Sequence, residues 1–369
     1  MQYIIDNPIL INCVRMHDPV TRSLTGNFSH CLHLIEAIEK LKKLNLYVHA
    51  DALTAPHISA IVPPERLVVE GQPIDTILQM ELAIARAIRK VRPILYHKPT
   101  GQLPLIPVKC RTVWGVADLG YRHLPMGFLQ RMYKRLSYSS SAGRANHITA
   151  ISNSVRDEII SALHVSPGKV STIYHGTSEF SSDAEVVPNC PPVFLMTFGH
   201  QRHKNVETCV AVIKELKSAD IHMPLLVVGR VEQQRQLEAQ SQKMGVQDNI
   251  RFCGRVSNGQ LRFLYERAVC LLFLSRHEGF GLPVLEAMGL GCPVIASNVF
   301  SLPEVVSDAA PMFDCDDAAG VAKEIRQLCR NPGIRERRIK SGYENAARFT
   351  WRRAAEETIA IYKAVLELQ

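Results

Sequence analysis

Nowhere does the chain carry the uninterrupted run of about 18 apolar residues that a membrane-crossing helix needs, so an integral membrane protein is not expected. The opening residues, MQYIIDNPILINCVRMHDP, bring an acid and an amide early and have no basic segment ahead of an apolar one. They do not read as a secretory leader. CxxC pairs are missing, and none of the ten cysteines stands at zinc-ligand spacing. Cys270, inside AVCLLFLS, typifies them: a reduced thiol packing as a small hydrophobe, which implies a reducing cytoplasm. Repeats and low-complexity tracts are absent. So is the interleaving of aromatic and basic residues that reads nucleic acid, and no nucleic-acid partner is expected.

What is present is globular. The 369 residues, 46% hydrophobic and 21% charged, fit two domains rather than one. A net charge of +8 favours an anionic partner, whether nucleic acid, a phospholipid surface or nucleotide phosphates, and charge alone does not choose among them. Short apolar runs alternate with helical patterns, which is the signature of parallel α/β architecture. In the first half the strand candidates are QYIIDN, LYVHAD, PILYHKP, TVWGVADL, HITAIS and STIYHG. In the second half they are PVFLMTFG, PLLVVG, NIRFCG, CLLFLS and PVIAS, five strands of a doubly wound sheet. Helices are expected from HCLHLIEAIEKLKKL, ILQMELAIARAIRKV and VRDEIISALH, the last capped at Asn153–Ser154. The polar, proline-rich SSDAEVVPNCPP reads as a linker. The expected domains are therefore 1–180 and 193–348 about a linker at 181–192, with a terminal amphipathic helix at 349–369. Two such halves would leave a cleft for ligands.

One segment concentrates the chemistry: residues 275–297, SRHEGFGLPVLEAMGLGCPVIAS. A buried strand ends at Ser275, the turn EGFG follows, and Pro283 suits the first position of a short helix. A glycine turn entering a helix aims backbone N–H groups from the positive end of the helix dipole, which is a phosphate-binding device. Gly279 and Gly281 let that backbone approach an anion closely. Glu278 stands before the turn and Glu286 one helical turn into the helix, each able to accept hydrogen bonds from sugar hydroxyls.

EGFGLPVLE resembles the E-x-x-x-x-x-x-x-E signature of retaining GT-B glycosyltransferases of family 4. The likeness extends through GCPVIASNVFSLPEVV, FDCDDAAGVAKEIRQL and FTWRRAAEETIAIY, nearly all of the C-terminal half. It implies a GT-B fold, two facing Rossmann-like domains with a C-terminal helix crossing back. It also implies that Glu278 meets the donor sugar, that Glu286 meets the nucleotide ribose, and that the amides of Gly279, Phe280, Gly281 and Leu282 face the sugar and diphosphate. In FGHQRHKN, Lys204 falls on the family's diphosphate-neutralising lysine. Arg202 is the preferred arginine partner, since His200 stands where relatives carry arginine. Such cations would stabilise the leaving diphosphate. Arg255 and Val256, after NIRFCG, are expected near the base.

The N-terminal half resembles the family more loosely. Gly26, in LTGNFSH, matches the family's glycine ahead of the first helix and would approach the donor phosphate. In TVWGVADL, Ala117 replaces the histidine of the family's V-H-D-L, while Asp118 remains, either as a loop cap or as an acceptor contact. His123 follows five residues later, either within reach of the site or, as is commoner for a histidine, on the surface. Asp314-Cys315-Asp316 mimics a metal-binding D-x-D but precedes a helix, and reads as a turn. Asn27-Phe28-Ser29 carries no weight as a glycosylation site in a cytoplasmic chain.

The resemblance implies a metal-independent hexosyltransferase with no bound cofactor, using a nucleotide sugar as co-substrate. GDP-mannose or a related deoxyhexose donor comes first and a UDP-sugar second, with a saccharide acceptor that is lipid-linked. The alternatives are a GT-B-fold epimerase or a nucleotide-sugar-binding protein with little turnover. Residues 122–144, rich in basic and apolar side chains, are a possible docking surface for the inner face of an anionic membrane, which would make the enzyme peripheral.

Overall fold

The computed structural model describes residues 6–17, 24, 26–177, 180, 183–199, 201–231 and 233–367. The chain divides into two compact units, Met1–Gly176 with Thr350–Gln369, and Thr177–Phe349.

The first unit holds β1 (Pro8–Asn12), β2 (Asn45–Ala50), β3 (Leu67–Val69), β4 (Leu95–Lys98), β5 (Arg111–Val116), β6 (His147–Ala150) and β7 (Val170–Thr172). They form one parallel sheet of seven strands ordered β3-β2-β1-β4-β5-β6-β7. Successive strand residues point to opposite faces, and both faces are buried. Leu10, Tyr96 and Trp114 enter one core, while Ile9, Ile11, Leu95 and Val113 enter the other. The helices are α1 (Gly26–Leu41), α2 (Ala55–Ile58), α3 (Ile77–Val91), α4 (Phe128–Arg144) and α5 (Asn153–Leu163). A capping box, Thr76 with Gln79, starts α3, and Arg92 in the left-handed region ends it.

The second unit holds β8 (Leu195–Phe198), β9 (Leu225–Val228), β10 (Ile250–Gly254), β11 (Leu271–Phe273), β12 (Val294–Ser297) and β13 (Met312–Phe313). Their order is β10-β9-β8-β11-β12-β13, the doubly wound arrangement, with the order reversing between β8 and β11. Around them lie α6 (Val206–Ser218), α7 (Gln234–Lys243), α8 (Asn258–Arg267), α9 (Leu282–Gly289), α10 (Leu302–Val306), α11 (Ala318–Arg330) and α12 (Pro332–Ala346). The last helix, α13 (Trp351–Glu367), returns to the first unit, where Ala355, Tyr362 and Val365 join one core face.

Several expectations need correcting. Most of QYIIDN lies outside the described residues, and the first strand is instead Pro8–Asn12; proline is tolerated there because it opens the strand. Ser152, not the Asn153–Ser154 pair, caps α5 by accepting from the Val155 amide. The second sheet gains a sixth strand, β13, paired to β12. Residues 183–192 pack within the second unit: Val187 is in its core, and Arg251 donates to the carbonyls of Pro188 and Asn189. The chain instead passes between units at Gly176–Thr177.

Candidate functional site

In open parallel sheets ligands collect outside the carboxyl ends of the strands, where the strand order reverses. For the second sheet that place is the pair of loops following β8 and β11. The first loop ends in the short turn Arg202–Lys204, and the second is 274–281. Their side chains meet: Lys204 Nζ donates to Glu278 Oε1 at 2.6 Å, with 17% and 10% of the two side chains exposed. The ammonium also lies 5.0 Å from the centre of the Phe273 ring.

Asn205 holds these loops in place. It adopts φ 55°, a left-handed conformation that asparagine tolerates, and so turns the chain into α6. Its carboxamide donates to the carbonyls of Leu274 at 3.0 Å and Cys315 at 2.7 Å, and accepts from Thr208 and Arg276. The loops after β8, β11 and β13 are thereby tied at one buried side chain. Arg276 is gripped in turn by both oxygens of Asp316, and this guanidinium holds the Asp316 carboxyl below its ordinary range.

The turn entering α9 has the expected backbone. Gly281 sits at φ 103°, where a Cβ would be strained and would also meet Leu302 Cδ2 at 2.8 Å. Pro283 takes the second helical position behind Leu282, and no side chain caps the helix. The amides of Gly281 and Leu282 find no partner among the described residues, so an anion would meet unpaired donors at the helix start. Ser301, fully buried, donates to the carbonyls of Glu278 at 2.8 Å and Phe280 at 3.1 Å and so holds the turn from behind. Phe280 turns its ring inward against Phe349, leaving its backbone at the turn. Glu286 is half-buried, with Oε2 3.2 Å from the hydroxyl of fully buried Tyr265.

The remaining candidates are more scattered. Arg202 is exposed and lines a separate depression with Gln201, Val206 and Glu207. His200 lies outside the described residues. Arg255 is exposed beyond β10, and Val256 packs on one core of the second unit. In the first unit, Gly26 is the first residue of α1, with open space around its missing Cβ. Asp118 accepts from the Gly120 amide at 2.6 Å, which is the loop-cap role. His123 pairs with Glu158, as does Arg122. Ligand atoms of Asp314, Cys315 and Asp316 cluster within 4.8 Å, but Asp316 is engaged by Arg276. Sequence reasoning missed Ser301, Tyr265 and Arg276, although Ser301 lies inside the quoted run GCPVIASNVFSLPEVV.

The profile of the family described as "Glycosyl transferases group 1" matches residues 178–345, essentially the second unit. The O-antigen chain mannosyltransferase RfbU of Salmonella typhimurium is 29% identical over 62% of this chain and 63% of its own, just under two thirds of that relative's length. The O-antigen chain mannosyltransferase B of Escherichia coli is 29% identical over 76% of each chain. Among solved structures, sucrose-phosphate synthase of Thermosynechococcus elongatus superposes with a TM-score of 0.76 at 18% identity, covering 98% of this chain and 100% of that one. Anabaena HepE, solved with UDP and glucose, gives 0.74 at 15% identity, covering 97% and 100%. The fold is thus GT-B, and the second unit is similar to the glycosyl transferases group 1 family.

Proposed function

We propose that the protein transfers a hexose, with retention of configuration, from a nucleotide sugar to a saccharide acceptor and without a metal. The observation carrying this is the Lys204–Glu278 pair, its glutamate in the same loop as the Gly281 and Leu282 amides, which find no partner among the described residues, at the reversal point of the second sheet. Lys204 neutralises the departing diphosphate, Glu278 receives sugar hydroxyls, and Glu286, steadied by Tyr265, receives the ribose. The leaving phosphate takes the acceptor proton in a front-face substitution. GDP-mannose or a related deoxyhexose is the first donor, as the mannosyltransferase relatives support; a UDP-sugar is the second, as the UDP-bound neighbour supports. A panel of nucleotide sugars in the presence of EDTA, scored by thermal shift and slow hydrolysis, tests it. Glu286→Ala should weaken nucleoside-diphosphate binding by about 1–3 kcal/mol, the scale of a charged hydrogen bond, in calorimetry. Undiminished affinity would reject the ribose assignment.

The acceptor, on this reading, is lipid-linked and met at an anionic bilayer on the inner face of the cell membrane. Among the described residues no helix is long and apolar enough to cross a membrane. Helix α4 supports contact from one side instead. It packs through Ser137, Tyr138, Ser141 and Ala142, while Phe128, Leu129, Met132 and Leu136 stand 75%, 76%, 44% and 64% exposed. These four share one side of the helix, flanked by exposed Arg131 and Arg135. A helix that buries serines and displays its large apolar groups is inverted relative to a core-facing one. Each arginine contributes on the order of 1 kcal/mol near an anionic surface. In flotation at low salt, the wild type should bind anionic vesicles and Arg131→Glu with Arg135→Glu should not, while transfer to a short soluble acceptor persists. Vesicle binding that survives the pair would remove α4 as the docking face.

A further inference from the structure

Thirteen large apolar side chains stand exposed among the described residues, and eight of them lie on three segments of the first unit. Four are those of α4. The others are Leu78 and Leu82 on α3, with Leu105 and Ile106 in the loop between β4 and β5, and they stand 70%, 52%, 49% and 61% exposed. One stretch of that loop touches both helices. Gln102 donates to the Tyr133 hydroxyl at 2.6 Å and the Leu103 amide to Ser141 Oγ at 3.0 Å, both on α4. The amides of Leu105 and Ile106 donate to the two carboxylate oxygens of Glu81 on α3, at 2.7 and 3.2 Å. Glu81 and Leu78 are three residues apart on one side of α3, so the loop tip stands beside the exposed leucines.

The backbone of residues 104–107, Pro-Leu-Ile-Pro, suits an apolar medium. Proline has no N–H, and the two amides between the prolines are satisfied by a carboxylate that is itself only 6% exposed. The tip therefore carries no unpaired backbone donor, the group that is costly to take out of water. The Pro104 carbonyl is also taken, by the Arg144 guanidinium. The prolines fix φ on both sides of the apolar pair, so little conformational freedom is left to lose on docking. A buried carboxylate and two prolines thus hold two large apolar side chains rigidly on the surface.

Charge selects the occupant. Residues 77–91, 99–111 and 122–144 contain one acid, Glu81, and it faces inward. Arg89, Lys90, Lys109, Arg131 and Arg135 are exposed on the same segments. A second copy docking symmetrically on this face would set like charges against each other. An anionic lipid surface attracts them and takes the apolar groups between its chains.

We propose that Leu105 and Ile106 form a stiff wedge that enters an anionic phospholipid bilayer, with Leu78 and Leu82 seated beside it at the interface. The inference rests on the reading that the first unit meets such a bilayer, and it adds an anchor separate from α4.

The test uses the full chain with vesicles of equal parts phosphatidylglycerol and phosphatidylcholine, and with phosphatidylcholine alone. Ile106→Trp places a fluorophore at the tip. On anionic vesicles its emission should move to the blue and be quenched by brominated acyl chains. Wild type is the blank, because Trp114 is fully buried and Trp351 half-buried. Val186→Trp, at an exposed site of the second unit, should stay unquenched. Leu105→Ser with Ile106→Ser should lower the partition coefficient about tenfold or more, with the melting temperature unchanged because both side chains are exposed. An unquenched Ile106→Trp in a protein that floats, equal quenching of Val186→Trp, or full partition of the serine variant overturns the wedge and leaves the α4 reading standing. Quenching at the tip while Arg131→Glu with Arg135→Glu floats like wild type removes α4 and keeps the wedge. A wild type that does not float rejects both. Equal binding to phosphatidylcholine alone overturns the anionic surface, and a sedimenting dimer that the serine variant converts to monomer overturns the proposal in favour of a second copy.

Discussion

Lys204→Ala is expected to lower kcat by on the order of a hundredfold, with kcat/KM falling in parallel. A loss of that size follows removal of one group that stabilises charge appearing in the transition state. The lysine is set for that work by its neighbours: the turn Arg202–Lys204 delivers it, Asn205 fixes the turn, and Glu278 receives its ammonium at 2.6 Å. Glu278→Ala should also cut turnover, and more than it cuts nucleoside-diphosphate affinity. Because the two side chains touch, the losses in Lys204→Ala with Glu278→Ala should not add. Initial rates at saturating donor, normalised to folded protein, are the measurement. Normal turnover per folded molecule in Lys204→Ala would make the lysine a structural residue and the pair an ordinary internal ion pair.

Gly115→Ala should damage stability rather than chemistry. Gly115 lies in β5, and a Cβ there would sit 2.1 Å from the Pro99 carbonyl oxygen and 2.6 Å from its carbon. Those are backbone atoms, so no rotamer relieves the clash and the strand has to move. Glycine inside a strand marks such a close approach. The expected cost is about 4 kcal/mol or more, a fall in melting temperature of about 10 °C. Gly143→Ala is the control: it lies in α4, nothing lies within 4 Å of its missing Cβ, and alanine favours helix by about 0.5–1 kcal/mol. Melting curves that coincide for Gly115→Ala and wild type would refute the account of the strand.

Much of the second unit was legible because its signals are contiguous. EGFGLPVLE carries the turn, the helix start and both carboxylates within nine residues, and its buried strands are runs of apolar residues bounded by glycine or proline. The groups that hold this segment were not legible. Ser301 reaches Glu278 and Phe280 from the start of α10, Tyr265 reaches Glu286 from α8, and Arg276 is held by Asp316. A hydroxyl or guanidinium has no local pattern that names a partner far along the chain. Asp118 was readable as a cap because its partner, Gly120, is two residues away. Strand β3 is three residues long, too short to display alternation. Helix α4 misleads for a different reason: pattern reading assumes that large apolar residues face the core, and here serine and alanine share that face with Tyr138 while Phe128, Leu129 and Leu136 are exposed.

The return of α13 to the first unit makes the second unit an insertion, entered after Gly176 and left before Thr350. Ala355, Tyr362 and Val365 fill a core whose other members, such as Ile9, Leu46 and Leu95, come from the beginning of the chain. The bond from His97 to Tyr362 spans 265 positions. A nascent chain therefore emerges from the ribosome with its first sheet missing part of one covering layer, while Thr177–Phe349 has every residue of its own cores to hand. Vectorial synthesis ordinarily favours the N-terminal domain. Here the later domain should reach protease resistance first on stalled ribosomes, and the earlier one only after residues beyond 350 have cleared the exit tunnel, leaving its apolar surface to chaperones in the interval.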